Sequence, residues 1–182
     1  MHYTWTNMQF DIGKAIEILS RTPDTIDAMV SGLSNAWILA TEGEGTWSAF
    51  DIVGHLIHGE KTDWIVRMEI ILNDKEQKTF EPFDRYAQFQ SSKGKTLQEL
   101  LDEFRRLRDQ NLATLKSKNL QPHDLLKTGI HPAFGMVTLS QLLATWVVHD
   151  LNHITQIARV MANQYKAEVG PWVEYLKVLN ID

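Results

Sequence analysis

Apolar residues recur at three- and four-residue intervals over four long stretches of the chain, and polar segments punctuated by Pro and Gly separate them. This spacing puts apolar side chains on one face of a helix. After a loosely packed lead-in over residues 1–9, the first stretch carries Ile12, Ala15, Ile16 and Leu19, then Ile26, Met29, Val30 and Leu33. Between these sets, Thr22-Pro23-Asp24 has the features of a helix start: Thr22 as N-cap, Pro23 at the first helical position and Asp24 favoured by the dipole. One kinked helix and two short ones both satisfy the pattern over residues 10–36. Thr41 to Gly45 is a turn by composition.

Three further helices start at recognisable capping boxes. Ser48 with Asp51 opens a segment running to about Leu72, with Ile52, Leu56, Ile65, Met68, Ile71 and Leu72 on its stripe. Thr96 with Glu99 opens the stripe Leu97, Leu100, Leu101, Phe104, Leu107, Leu112 and Leu115, whose charged outer face is expected to be solvated. Thr138 with Gln141 opens the last long helix, with Leu142, Leu143, Trp146, His149, His153 and Ile157, reaching about Gln164. Residues 73–94, containing Pro82, and residues 121–137, containing Pro122, Gly129, Pro132 and Gly135, are long connections. Gly170-Pro171 is expected to end helical structure, with Trp172–Leu179 docking as a short terminal helix. No segment alternates with period two for long enough to predict a strand. The expected architecture is all-α: one four-helix bundle with long crossover connections, forming a single domain over residues 1–182.

Composition narrows the function classes. The formal net charge is −5, with 43% hydrophobic and 23% charged residues. That balance gives no general attraction to phosphate backbones, and no basic cluster suits an anionic membrane surface. The chain has no cysteine, which excludes disulfides, thiolate metal ligands and a cysteine nucleophile together. Neither a secretory signal nor a membrane-length apolar run is apparent, so a cytoplasmic location is expected.

The chemistry concentrates in Trp146 to Val160. His149 and His153 are four residues apart, which puts their imidazoles on one helix face with Cβ atoms roughly 6 Å apart. Two neutral imidazoles at that distance can share a divalent metal given a further ligand. His55, on the second long helix, is the best third ligand, because sites in helical bundles are built from side chains facing each other across the core. Three protein nitrogens with open positions are the arrangement of catalytic zinc, and all three must be neutral to bind. His58 has the spacing of a ligand relative to His55 but no other support. His2, His123 and His131 fall in irregular segments, with His131 placed to line the mouth of a site.

Other metal motifs fit less well. His149 to His153 is close to HExxH, but Asp150 is one methylene short of the required Glu. Six residues beyond His153, where one peptidase class has a third His, stands Arg159. A di-iron bundle needs two Glu-x-x-His motifs and two more Glu; only Asp150 with His153 comes near.

Trp47-Ser48, Gly54-His55-Leu56 and Glu60, followed by His149-Asp150-Leu151-Asn152-His153 and Gln156, resemble the DinB-like metalloenzyme superfamily of YfiT-like four-helix bundles. The resemblance covers roughly residues 10–175. It implies one His on the second helix and an HxxxH pair on the last, binding a divalent metal, zinc or nickel first and iron or manganese next. By resemblance, the metal ligands are His55, His149 and His153. Some relatives are transferases or isomerases that use low-molecular-weight thiols such as bacillithiol or mycothiol; many have no established reaction. The resemblance also implies a homodimer.

The first functional reading is a metal-dependent enzyme acting on a small molecule, possible cosubstrates including a thiol, with Glu60 and Asp150 as candidate catalytic carboxylates. The alternative is a non-catalytic, metal-stabilised binding or stress-response module, and a third reading is a protein–protein scaffold with core histidines. Asp63 and Arg67, with Glu60 on nearly the same face, read first as a helix-surface i,i+4 ion pair worth under ~1 kcal/mol, the alternative being a polar network beside the metal or at a dimer interface. Gln156, one turn from His153, suits either a hydrogen bond to a ligand or a capped polar spot. Trp47, Trp64 and Trp146 read as packing residues, with Trp146 placed to wall the site.

Overall fold

The computed structural model describes residues 9–74 and 76–180. His2 and nearly all of the expected lead-in lie outside the described residues. The first apolar stretch forms two short helices, α1 (Ile12–Leu19) and α2 (Thr22–Val30). Asp11 caps α1 by accepting a hydrogen bond from the Lys14 N–H at 2.8 Å. Thr22 is not the N-cap of α2: it is buried, its hydroxyl donates back to the Ile18 carbonyl, and Arg21 occupies the cap position. A short helix, α3 (Asn35–Ile38), follows.

All three expected capping boxes form. Ser48 starts α4 (Ala49–Thr62), with Asp51 accepting from the Ser48 N–H at 3.0 Å. The second long segment is not one helix to Leu72. It breaks at Asp63 (φ −110, ψ −84) and resumes as α5 (Trp64–Leu72). The short segment α6 (Ala87–Ser91) crosses over α4 at Gly54, where a Cβ would sit 2.5 Å from Ser92 Oγ and 3.2 Å from Gln88 Cβ. Thr96 and Glu99 start α7 (Leu97–Ser117); Thr138 and Gln141 start α8 (Leu139–Asn163). Each cap contributes roughly 1 kcal/mol and fixes where a ligand-bearing or core helix begins.

The second connection contains structure that the hydrophobic pattern does not reveal. β1 (Thr128–His131) pairs antiparallel with β2 (Gly135–Thr138), in the register Thr128 to Thr138 and His131 to Gly135. Phe80 N–H donates to the Ile130 carbonyl at 2.9 Å, so the first connection joins the same small sheet. A Cβ at Gly129 would lie 2.6 Å from the Phe80 ring, so only glycine lets the two connections close on each other. Gly170-Pro171 starts a 3-10 helix (Gly170–Tyr175) rather than ending helical structure, and a second 3-10 turn (Lys177–Leu179) seats Leu179 in the core.

The apolar core is in two parts. Ile26, Val30, Ile52, Leu56, Phe104 and Ile157 belong to one; Leu19, Met68, Leu112, Leu115, Leu143 and Trp146 belong to the other. Full burial of each such side chain contributes about 1.5–3 kcal/mol. Between the two parts the helices carry polar residues. Glu60 falls between Leu56 and Trp64, Arg108 between Phe104 and Leu112, and Asp150 and His153 between Trp146 and Ile157. This polar layer at mid-height is where the chemistry sits.

Candidate metal centre

α4 supplies His55, and α8 supplies His149 and His153 one turn apart. Their Nε2 atoms converge: His55 to His149 is 3.2 Å and His153 to His149 is 3.1 Å. One donor atom from each ring lies within 4.8 Å of the others. Three nitrogens held tetrahedrally by one cation at 2.0–2.1 Å stand about 3.3 Å apart, so the spacing suits a divalent metal. The imidazole of His55 therefore meets those of His149 and His153, about a hundred residues further along the chain, as the bundle reading and the family resemblance imply.

The electrostatics prepare the same donors. Burial, helped by the neighbouring imidazoles, lowers His55 to about 3 and His149 to about 2. Burial also lowers His153, against the pull of Gln156 and Asp150. All three are neutral near pH 7, as ligation requires. His153 Nδ1 lies 2.8 Å from Gln156 Oε1. With Nδ1–H donating to that oxygen, the Nε2 lone pair faces its two neighbours. The buried Nδ1 atoms of His55 and His149 have no hydrogen-bond partner among the described residues.

Aromatic rings enclose the cluster. Trp47 stacks on His153 (centroids 6.3 Å, 15°) and tilts against His55 at 4.8 Å. Phe83 meets His55 edge-on at 5.5 Å, and Trp64 meets His149 edge-on at 5.0 Å. Trp146 does not wall the site: it is fully buried, stacks on Trp64 at 5.8 Å and donates its indole N–H to Glu60. The histidines open onto a cleft of about 1140 Å³, whose far rim is the hairpin turn with His131 and Phe134. His131 thus lines the mouth, whereas His58 turns aside against Phe83 at 4.7 Å and His123 is an exposed partner of Asp124.

The carboxylates are placed differently from the sequence expectation. Glu60 and Asp150 do not line the cleft; they lie behind the histidines, fully buried on Arg108. Arg108 donates to Asp150 Oδ2 at 2.6 Å, to Glu60 Oε1 at 2.8 Å and to the Leu19 carbonyl at 2.8 Å. Burial pushes the Glu60 carboxyl up, against the pull of Arg108. The carboxylate that does face the cleft is Asp63. Its pair with Arg67 (3.0 Å) is not a surface one: both side chains are nearly buried, and burial pushes the Asp63 carboxyl up to about 6. Arg108 was hidden in a helix face expected to be solvated. Its place in the stripe, four residues from both Phe104 and Leu112, was the available signal.

These features define a class: a helical bundle whose second and last long helices bring three neutral imidazoles to one cation-sized point. The chain belongs to the DinB superfamily, whose family model matches residues 18–157. It is similar in structure to YfiT from Bacillus subtilis (TM-score 0.74, 19% identity, covering 90% of this chain and 93% of that one), described as a probable metal-dependent hydrolase with an unusual four-helix bundle topology. It is also similar to TT2238, a four-helix bundle protein (TM-score 0.50, 18% identity, 81% and 98% covered). At these identities the likeness shows the fold. No curated protein matches the sequence. Among the described residues, no helix is long and apolar enough to cross a membrane.

Proposed function

We propose that this protein is a metal-dependent enzyme in which His55, His149 and His153 hold one divalent cation, zinc or nickel in preference to iron or manganese. The carrying observation is the convergence of three Nε2 atoms, 3.1–3.2 Å apart where they touch, at the floor of a cleft. No carboxylate joins the set among the described residues, so a cation held by the three imidazoles would have no fourth protein ligand between it and the cleft. That favours an enzyme over a closed, metal-stabilised module. The cation supplies Lewis acidity and lowers the pKa of a bound water or thiol.

The chain's own residues do the rest. Gln156 orients His153, while Trp47, Phe83 and Trp64 keep bulk water from the imidazoles. Asp63, rather than Glu60 or Asp150, is the carboxylate positioned to hold a proton at the cleft wall, and its raised pKa near 6 suits that task. The description of YfiT as a probable metal-dependent hydrolase supports hydrolysis as the reaction class. Thiol-dependent transfer or isomerisation uses the same site, with the thiol brought by a small-molecule cosubstrate because the chain has no cysteine. A cytoplasmic homodimer accompanies this reading.

The test is metal content. Protein purified without a metal-affinity tag is expected to carry about one equivalent of divalent metal by elemental analysis. His149→Ala, with helical circular dichroism unchanged, is expected to carry almost none. Comparable content in the two proteins overturns the proposal.

A further inference from the structure

We infer that the cleft selects a small organic carboxylate with an apolar or aromatic body, and that Arg85 is the residue that holds its charge. The inference deepens the metal-centre reading and rests on it.

The charges on the cleft wall carry the argument. Three guanidinium groups line it: Arg67, Arg85 and Arg159. Arg159 is occupied by Glu42 through two parallel bonds of 2.7 and 2.8 Å. Arg67 is occupied by Asp63 at 3.0 Å and by the Glu81 carbonyl. Among the described residues Glu42 and Asp63 are the carboxylates of the wall, and each sits against an arginine other than Arg85. Asp84, next in sequence to Arg85, uses its carboxylate to accept from the Tyr86 N–H at 2.9 Å and does not line the cleft.

Arg85 is left exposed, with no hydrogen bond or ion pair among the described residues. Its charge reaches His55, where it adds to the forces that keep that imidazole neutral. The metal centre adds to this imbalance. Three neutral imidazoles cancel none of the charge of a divalent cation, so the floor of the cleft is positive as well. A positive cleft with low-dielectric walls concentrates anions.

The walls indicate the rest of the ligand. Trp47, Phe83, Tyr86 and Phe134 line the cleft, and the last two are 68% and 78% exposed. Rings left in water around a concave site are unused apolar surface that a ligand can cover. The volume of about 1140 Å³ exceeds what water alone needs by far. A single free guanidinium fork matches the two oxygens of one carboxylate.

The probes are 3-phenylpropionate and its neutral amide, 3-phenylpropionamide, titrated calorimetrically into metal-loaded wild type, Arg85→Ala and Arg85→Lys. Metal content is measured first in each protein. Arg85 is exposed and remote from the core, so the variants are expected to fold and to load metal equally. Wild type is expected to bind the carboxylate at least tenfold more tightly than the amide. Arg85→Ala removes that preference, and Arg85→Lys retains part of it. Equal binding of the two probes by wild type, binding of neither, or an undiminished preference in Arg85→Ala each overturns the inference. The last outcome places the anion on the cation alone. Failure of the metal reading is separately visible as absence of metal from the wild type before any probe is added.

Discussion

Two polar clusters lie side by side in the middle of the bundle, one sealed in the core and one at the floor of the cleft, and they are built on opposite principles. Glu60, Arg108 and Asp150 form the first. Arg108 spends two nitrogens on four hydrogen bonds, and Glu60 also accepts from Asn111 at 2.9 Å and Trp146 at 3.1 Å. These bonds join all four layers of the bundle: the Leu19 carbonyl ends α1, Glu60 lies on α4, Arg108 on α7 and Asp150 on α8. The cluster answers its own polar groups almost completely. The second cluster, His55, His149 and His153, has Nε2 atoms converging on one another and, among the described residues, two ring nitrogens without partners. The first cluster is a closed structural joint. The second has the geometry of a divalent-metal site. The joint also aligns the site, because Glu60 follows His55 on the same helix and Asp150 lies between His149 and His153.

The largest break of this comparison is Arg108→Met. It leaves two buried carboxylates facing each other without a cation, and the expected loss is about 3–5 kcal/mol. Urea denaturation of the metal-free proteins measures it, with metal-free His149→Ala as the reference. The histidine variant is expected to lose no more than about 1–2 kcal/mol, since no charge is stranded. Equal losses would erase the distinction between joint and site.

Acid acts next, and on the histidine cluster. His55 and His149 titrate in the fold at about 3 and about 2, against 6.5 for an ordinary imidazole. Below pH 6.5 the unfolded chain takes up protons that the fold refuses, so stability present above that pH is lost as pH falls. Asp63 works the other way. Its folded value of about 6 exceeds the ordinary 3.8, so it favours the fold below pH 4 and that contribution disappears as pH rises through 6. Two imidazoles against one carboxyl leave a net loss of about 2–3 kcal/mol between pH 6.5 and pH 5. Melting temperatures of the metal-free protein across that range report it, and a flat profile would contradict neutral buried imidazoles.

The smallest effect sharpens the comparison. Gln156→Ala removes the acceptor that orients His153 and is expected to weaken metal affinity about 10–100-fold. Competition with a chelating dye measures this, with stability changed by less than about 0.5 kcal/mol. A stability loss without an affinity loss would make Gln156 part of the packing instead.

The parts legible in the sequence are those governed by near neighbours. Ser48 with Asp51, Thr96 with Glu99 and Thr138 with Gln141 all cap as their spacing predicts, because the bonds span three residues. The four-residue interval of His149 and His153 places both rings on one face for the same reason. Arg108 was harder to read: an arginine four residues from Phe104 looks like any other charge on α7 until two carboxylates are found opposite it. The strands of four residues in the second connection are too short to show alternation, and they form where Gly129 admits Phe80.

By itself, the sequence determined the main helical stretches, the three capping-box starts and the shared helix face of His149 and His153, since these follow from periodicity and local hydrogen bonding. Tertiary structure alone decided that Asp63 faces the cleft while Glu60 and Asp150 are locked behind it, and that Arg85 has no carboxylate partner among the described residues. The physical reason is that a charged side chain's role depends on its partner and its burial, and both are set by which helices pack together.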